Sequence, residues 1–104
     1  MAWLTLIIAG LLEVVWAYFM KQSKGFSLLV PSIITLVAMA ASFGLLSFSM
    51  RSLPLGTAYT IWTGIGAVGA FLLGVALLGE SASPMRIAAA LLILAGIVLM
   101  KISS

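Results

Sequence analysis

Glu13 is the residue of this sequence whose chemistry stands out, because it lies inside an apolar run, from Ala2 to Met20, that is otherwise free of charge. If that run crosses a membrane as a helix, the carboxylate lies near the middle of the bilayer, where a charged side chain costs about 2.5 to 3.5 kcal/mol. A proton or a bound cation would neutralise the carboxylate and relieve that cost. We therefore predict that Glu13 binds protons and cations, in preference to a purely structural role as a protonated hydrogen-bonding group.

The neighbours of Glu13 on the same helical face suit a binding site. Residues three and four positions apart share a helix face, which places Gly10 and Trp16 beside the carboxylate. Gly10 leaves space there. Trp16 lies too deep for an interfacial aromatic anchor. Its indole N–H can donate to the carboxylate, and its ring face can hold a cation.

Two later apolar runs add further polar groups at membrane depth. Tyr59 and Trp62 share one helix face, and both carry donors that seek partners when buried, so both could point at Glu13. Ser42 is a hydroxyl in the middle of the second run, although a lone serine commonly bonds back to its own helix. Glycines at positions 64, 66, 69 and 74 follow Trp62, a pattern that favours close helix packing over a hinge.

The residue types that the sequence lacks exclude most other chemistry. It contains no cysteine and no histidine, which removes thiol chemistry, disulfides, and the commonest metal ligand and general base. It also carries no nucleophile triad and no phosphate-binding loop. The sequence therefore predicts neither an enzyme nor a bound metal or cofactor. Its five basic residues are scattered singly and form no patch that would bind nucleic acid.

The elements that carry these residues are predicted to be membrane-spanning helices. The 104 residues are 64% hydrophobic and 7% charged, with a mean hydropathy of +1.36, a composition that excludes a water-soluble monomer. About 20 apolar residues cross the hydrocarbon core as a helix, and charges, prolines and glycines divide the chain into four such runs. The prediction is an all-α membrane protein with a single four-helix transmembrane domain, residues 1–104, whose spans lie at about 2–20, 31–50, 55–78 and 84–102.

The basic residues leave the orientation in the membrane open. With four spans, Arg51 and Lys101 lie on one side, and Lys21, Lys24 and Arg86 lie on the other. Cytoplasmic loops normally hold the excess of Lys and Arg, and three against two is a small excess. Either the chain inserts in both orientations, which then pair, or Lys21 and Lys24 alone fix a single orientation.

The sequence resembles the small multidrug resistance transporters over essentially its whole length. The matching segments are Glu13 in the first helix, Lys24-Gly25-Phe26 leading to Pro31-Ser32, Leu53-Pro-Leu-Gly-Thr-Ala-Tyr59, Ile61-Trp62-Thr-Gly-Ile-Gly66 and Gly79-Glu-Ser. Within that family it is most similar to the guanidinium exporter branch. Trp16 stands where the quaternary-ammonium branch typically has glycine, and Met39 stands where that branch often has an aromatic residue.

The resemblance implies both an assembly and a function. The assembly is an antiparallel homodimer of dual topology in the bacterial inner membrane. The function is proton-coupled antiport that exports guanidinium and small substituted guanidinyl cations, with proton and substrate competing for the two copies of Glu13. By the same matching, the residues that orient the carboxylates and line the substrate are Trp16, Ser42, Tyr59 and Trp62, together with Gly10, while Met39 and Phe43 lie near a lateral opening toward lipid.

Two other functions remain compatible with the residues. The first is a broad-specificity exporter of quaternary ammonium cations from the same family, because a loose aromatic site suits bulky cations that carry no hydrogen-bond donor. The second, from another class, is a non-transporting membrane assembly or pore-forming protein in which Glu13 is a structural hydrogen-bonding group. Replacement of Glu13 separates the classes, since a structural protein should lose stability and a transporter should lose exchange.

Overall fold

Four α-helices account for nearly the whole chain. The computed structural model describes residues 1–103. The helices are α1 (Ala2–Gln22), α2 (Leu29–Ser49), α3 (Leu55–Leu77) and α4 (Pro84–Ile102). Each is long and apolar enough to cross a membrane, and none of the described residues forms a β-strand. The prediction of an all-α protein with four transmembrane helices is therefore confirmed.

Short, tightly bonded turns join the helices. The turn after α1 is held by Ser23, whose hydroxyl donates to the Met20 carbonyl at 2.6 Å and accepts the Phe26 amide at 3.0 Å. Helix α2 begins at Leu29, so Pro31 lies in its first turn, where its missing N–H leaves no hydrogen bond unmade. Helix α3 ends before Gly79, whose φ of +69° lies in the left-handed region that favours glycine.

Helix α1 lies at the centre of the bundle and packs against both α2 and α3, whereas α4 packs against α3. The buried core comprises side chains from the first three helices, namely Leu6, Ala9, Leu46, Ala58, Ile61 and Trp62. Helix α4 contributes no buried residue among those described, and Leu91, Leu92 and Leu99 are strongly exposed. A single copy of the chain therefore leaves one face of α4 without a protein partner.

Glycines on α3 let neighbouring helices approach its backbone closely. A Cβ atom on Gly69 would lie 2.2 Å from the Val14 side chain of α1, and one on Gly64 would lie 2.9 Å from the Ile97 side chain of α4. Real Cβ atoms are not found at such distances. The glycine pattern in the third run thus serves close helix packing, as predicted.

Candidate functional site

The Glu13 side chain rests directly on the backbone of α3 at Gly66. A Cβ atom added to Gly66 would lie 2.0 Å from Oε1 and 2.3 Å from Cδ of Glu13, so only a glycine leaves room for the carboxylate there. Oε1 is buried and has no hydrogen-bond partner among the described residues. Buried polar atoms are almost always bonded, so this oxygen is left for a proton, a cation or another molecule.

Trp16 lies one turn beyond Glu13 and also carries an unsatisfied polar atom. Its ring stands edge-on to Phe43 of α2, with 6.2 Å between centroids and 71° between planes. Its indole Nε1 is buried and donates to no described residue. The hydrogen bond to Glu13 that the sequence suggests is therefore not formed within one protomer. One donor and one acceptor on the same stretch of α1 remain free.

Ser42 and Trp62 are hydrogen-bonded to each other, and Ser42 is hydrogen-bonded to the α1 backbone near Glu13. The Trp62 indole N–H donates to the Ser42 hydroxyl at 3.0 Å, and that hydroxyl donates to the Ala9 carbonyl at 2.7 Å. The same carbonyl accepts the Glu13 amide in a regular α-helix. Because a serine hydroxyl has one proton, Ser42 cannot also donate to the carboxylate in this conformation. The pair fixes the helical turn that carries Glu13, joining α1, α2 and α3 at one buried point.

Four aromatic rings form a row across α1, α2 and α3 next to this point. Phe43 contacts Trp16 on one side and Trp62 on the other, at 5.7 Å between centroids, and Trp62 contacts Tyr59 at 5.6 Å. Tyr59 is 53% exposed and lines a cavity of about 450 Å³ between α3 and α4. The structure thus brings together all four aromatic residues that the sequence singles out.

The two remaining predicted site residues are Met39 and Gly10. Met39 is half-buried on α2, one turn before Phe43. Gly10 is buried and faces Ile65 of α3, because a Cβ atom there would lie 2.7 Å from the Ile65 side chain. In this conformation Gly10 therefore serves the approach of α1 to α3. Within residues 1–103, no three His, Cys, Asp or Glu side chains lie together as metal ligands.

Gly66 and Ala9 are site residues whose contacts the sequence does not reveal. Gly66 belongs to a glycine pattern that indicates close packing, but nothing in the pattern shows that the packed group is the Glu13 carboxylate. Ala9 contributes through its backbone carbonyl, which any residue could supply. Helix periodicity places Ala9 on the same face as Glu13, and Gly66 one turn after Trp62, but it does not show these contacts.

We expect Ser42→Ala to destabilise the protein by about 1 to 3 kcal/mol, because it leaves the buried Trp62 N–H without an acceptor. Ser49→Ala is the matched control. Ser49 is equally buried on the same helix, but its hydroxyl bonds only to its own helix, at Leu45. Unfolding in increasing dodecyl sulfate, followed by tryptophan fluorescence, measures both variants. Equal losses of stability would show that the Trp62–Ser42 link contributes nothing specific.

The chain matches a known protein family over nearly its whole length. The family model described as Small Multidrug Resistance protein matches residues 1–102. A guanidinium exporter of Yersinia pseudotuberculosis is 65% identical over the full length of both chains. Guanidinium exporters of Escherichia coli and Salmonella typhimurium are 59% and 61% identical over all of this chain and 99% of theirs. These relatives are transporters, not enzymes.

The family and the four membrane-spanning helices together define where the protein acts. Each helix meets the length and hydropathy needed to cross a bilayer, and the family match extends over all four. The protein is a multi-pass component of the bacterial inner membrane. The chain, with its membrane-embedded Glu13, is a member of the small multidrug resistance family.

Proposed function

We propose that this protein exports guanidinium and small substituted guanidinyl cations in exchange for protons, with both competing for Glu13. The observation that carries the proposal is the unpartnered Glu13 carboxylate oxygen inside a membrane-spanning helix. The relatives named guanidinium exporters, at 59% to 65% identity, support guanidinium as the cation.

Guanidinium suits a free carboxylate better than other small cations do. The ion is planar, and each edge presents two parallel N–H donors that match the two oxygens of a carboxylate. A quaternary ammonium ion has no donor. The free Trp16 N–H can bond to a Glu13 oxygen once the site closes, which would hold the carboxylate in the plane of the ligand. The aromatic row supplies ring faces that bound a flat cation.

Competition at one carboxylate also explains coupling. A proton and a guanidinium ion each neutralise Glu13, and an ionised carboxylate inside the membrane is costly. Occupancy by one therefore expels the other, and a conformational change can carry either ligand across the membrane. This exchange requires no group other than the shared carboxylate.

A homodimer of antiparallel copies is part of the proposal. Four short helices cannot readily enclose a site and also open it alternately to both sides. Two opposed copies would supply the inverted repeat that other transporters encode within one chain. Three features support this assembly: the unpartnered face of α4, the free polar atoms of Glu13 and Trp16, and the near-balance of basic residues between the two membrane sides.

Uptake by purified protein in proteoliposomes tests the proposed function. An imposed proton gradient should drive uptake of guanidinium, and it should drive uptake of a tetra-alkylammonium ion far less. A preference for the bulky cation would instead assign the protein to the quaternary-ammonium function of the same family. Uptake of neither cation would favour a non-transporting role.

We expect Trp16→Gly to reduce guanidinium transport about tenfold or more, because a hydrogen bond to a charged group contributes about 1.5 to 3 kcal/mol. Transport of a tetra-alkylammonium ion should fall less or even rise, because the pocket becomes larger. Both uptake rates are measured side by side. Trp3→Gly is the control, since it removes a tryptophan from the same helix. The Trp3 ring contacts Lys101, whose Nζ lies 5.5 Å from the ring centroid. Equal losses for both cations in Trp16→Gly would show that the indole only fills space.

A further inference from the structure

Arg86 at the start of α4 is itself an alkylguanidinium ion held in a defined set of contacts. Its Nη2 lies 3.8 Å from Oε1 of Glu80, and its Nη1 donates to the Ser81 carbonyl at 2.5 Å. Its Cζ lies over the Phe71 ring, 5.0 Å from the centroid. A carboxylate, a carbonyl and an aromatic face are the groups that recognise a planar cation rich in N–H donors.

The backbone at the end of α3 fixes the position of the Glu80 carboxylate. The amides of Leu78 and Glu80 both donate to the Gly74 carbonyl, at 3.1 and 3.0 Å. Gly79 between them adopts a φ of +69°, which turns the chain back toward the helix. A Cβ atom on Gly74 would lie 2.3 Å from Oε1 of Glu80, so the bare glycine backbone provides the room for that carboxylate.

A cavity of about 350 Å³ between α1 and α3 reaches this group of contacts. Glu80, Arg86 and Phe71 line one part of it, and Val14 and Ala67 line another. Glu13 and Gly66 do not line this cavity, which is therefore separate from the position of the buried carboxylate. Its volume is ample for a guanidinium ion.

We propose that Glu80, the Ser81 carbonyl and Phe71 form a second guanidinium-binding site, for which free guanidinium competes with the Arg86 side chain. The ion pair is open to competition because both side chains are more than two fifths exposed, and exposed pairs are weak. A tethered competitor acts at an effective concentration on the order of millimolar, so the free ion binds weakly while Arg86 is present. Lys21 lines the same cavity and lowers cation affinity further. The site stands on these contacts alone and does not require that Glu13 binds guanidinium.

Removal of the tethered guanidinium tests the site. In purified full-length protein carrying Glu13→Gln, guanidinium binding is measured by titration calorimetry with and without Arg86→Ala. We expect Arg86→Ala to strengthen guanidinium binding about threefold to fivefold, the range that displacing an exposed ion pair allows, and the further change Glu80→Gln to abolish that gain. Tetramethylammonium should bind more weakly than guanidinium, because it has no donors for the Glu80 carboxylate and the Ser81 carbonyl.

Arg51→Ala in the same Glu13→Gln background is the matched control. Arg51 lies over the Phe48 ring at 5.5 Å and forms no ion pair with a described carboxylate, so its removal should not create guanidinium binding. Arg86→Gln serves as a second variant if Arg86→Ala does not fold, because glutamine keeps the chain polar but lacks the charge. The proposal is overturned if neither Arg86 variant binds guanidinium more tightly, or if the gain survives Glu80→Gln. If the Glu13→Gln variant alone binds guanidinium as tightly as the wild-type protein does, that result instead contradicts the proposed role of Glu13.

Discussion

Glu13→Gln is expected to lower guanidinium transport about a hundredfold or more and to abolish its coupling to protons. Glutamine has nearly the same shape as glutamate, but it cannot carry a negative charge or release a proton at neutral pH. Removing one partner of a desolvated, hydrogen-bonded charge pair costs about 2 to 5 kcal/mol, which corresponds to a loss of this size. Guanidinium uptake and the accompanying proton movement in proteoliposomes measure both effects in one preparation.

The fold should survive this change, which separates a transporter from a structural protein. The hydrogen bonds from Trp62 to Ser42 and from Ser42 to Ala9 do not involve the carboxylate, so unfolding in dodecyl sulfate should be little altered. A marked loss of stability with exchange intact would support a structural role for Glu13. The proposed site contains one glutamate from each copy. A mixture of Glu13→Gln and wild-type protein should therefore transport less than the wild-type fraction of that mixture would transport by itself.

Gly66→Ala is expected to reduce guanidinium transport at least tenfold while the helices remain folded. The added methyl group would lie 2.0 Å from Oε1 and 2.8 Å from Cγ of Glu13, so the side chain must leave its position on α3. Misplacing a functional group by about 1 Å can cost on the order of a hundredfold in rate. Alanine is also the better helix former, by about 1 kcal/mol, so the substitution does not weaken α3 itself.

Gly56→Ala is the matched control for this prediction. Gly56 lies on the same helix, and no atom comes within 4 Å of an added Cβ there. Guanidinium uptake should therefore fall in Gly66→Ala and not in Gly56→Ala. Combining Gly66→Ala with Glu13→Asp should restore part of the lost transport, because the shorter side chain reduces the clash. Similar rates in both glycine variants would show that Gly66 does not position the carboxylate.

Much of the fold follows from the sequence because a bilayer imposes simple rules. Continuous apolar runs of about 20 residues must form helices, and glycines, prolines and charges mark where they end. Glu13 stands out for the same reason, since a charge inside such a run is costly. Helix periodicity also places Gly10 and Trp16 on the same face of α1 as Glu13, and it places Tyr59 and Trp62 on one face of α3.

The partners of these residues depend on how the helices rotate and pack against each other, which periodicity does not determine. Ser42 bonds to the Ala9 carbonyl and not to its own helix, because α1 and α2 meet at that height. Gly10 faces Ile65 for a similar reason, although the sequence suggests open space at that position. The contacts of Arg86 with Phe71 and Glu80 depend on the turn at Gly79, which sets where α4 begins relative to α3.

The pH dependence of guanidinium binding tests the central claim most directly, namely that protons and guanidinium compete for Glu13. Affinity of the wild-type protein is measured between about pH 6 and about pH 9 at constant ionic strength. Protonated Glu13 cannot bind the cation, so the affinity should weaken as the pH falls, approaching tenfold per pH unit for each shared carboxylate once most of it is protonated. An affinity that stays constant across this range would contradict the claim and show that guanidinium and protons do not share Glu13.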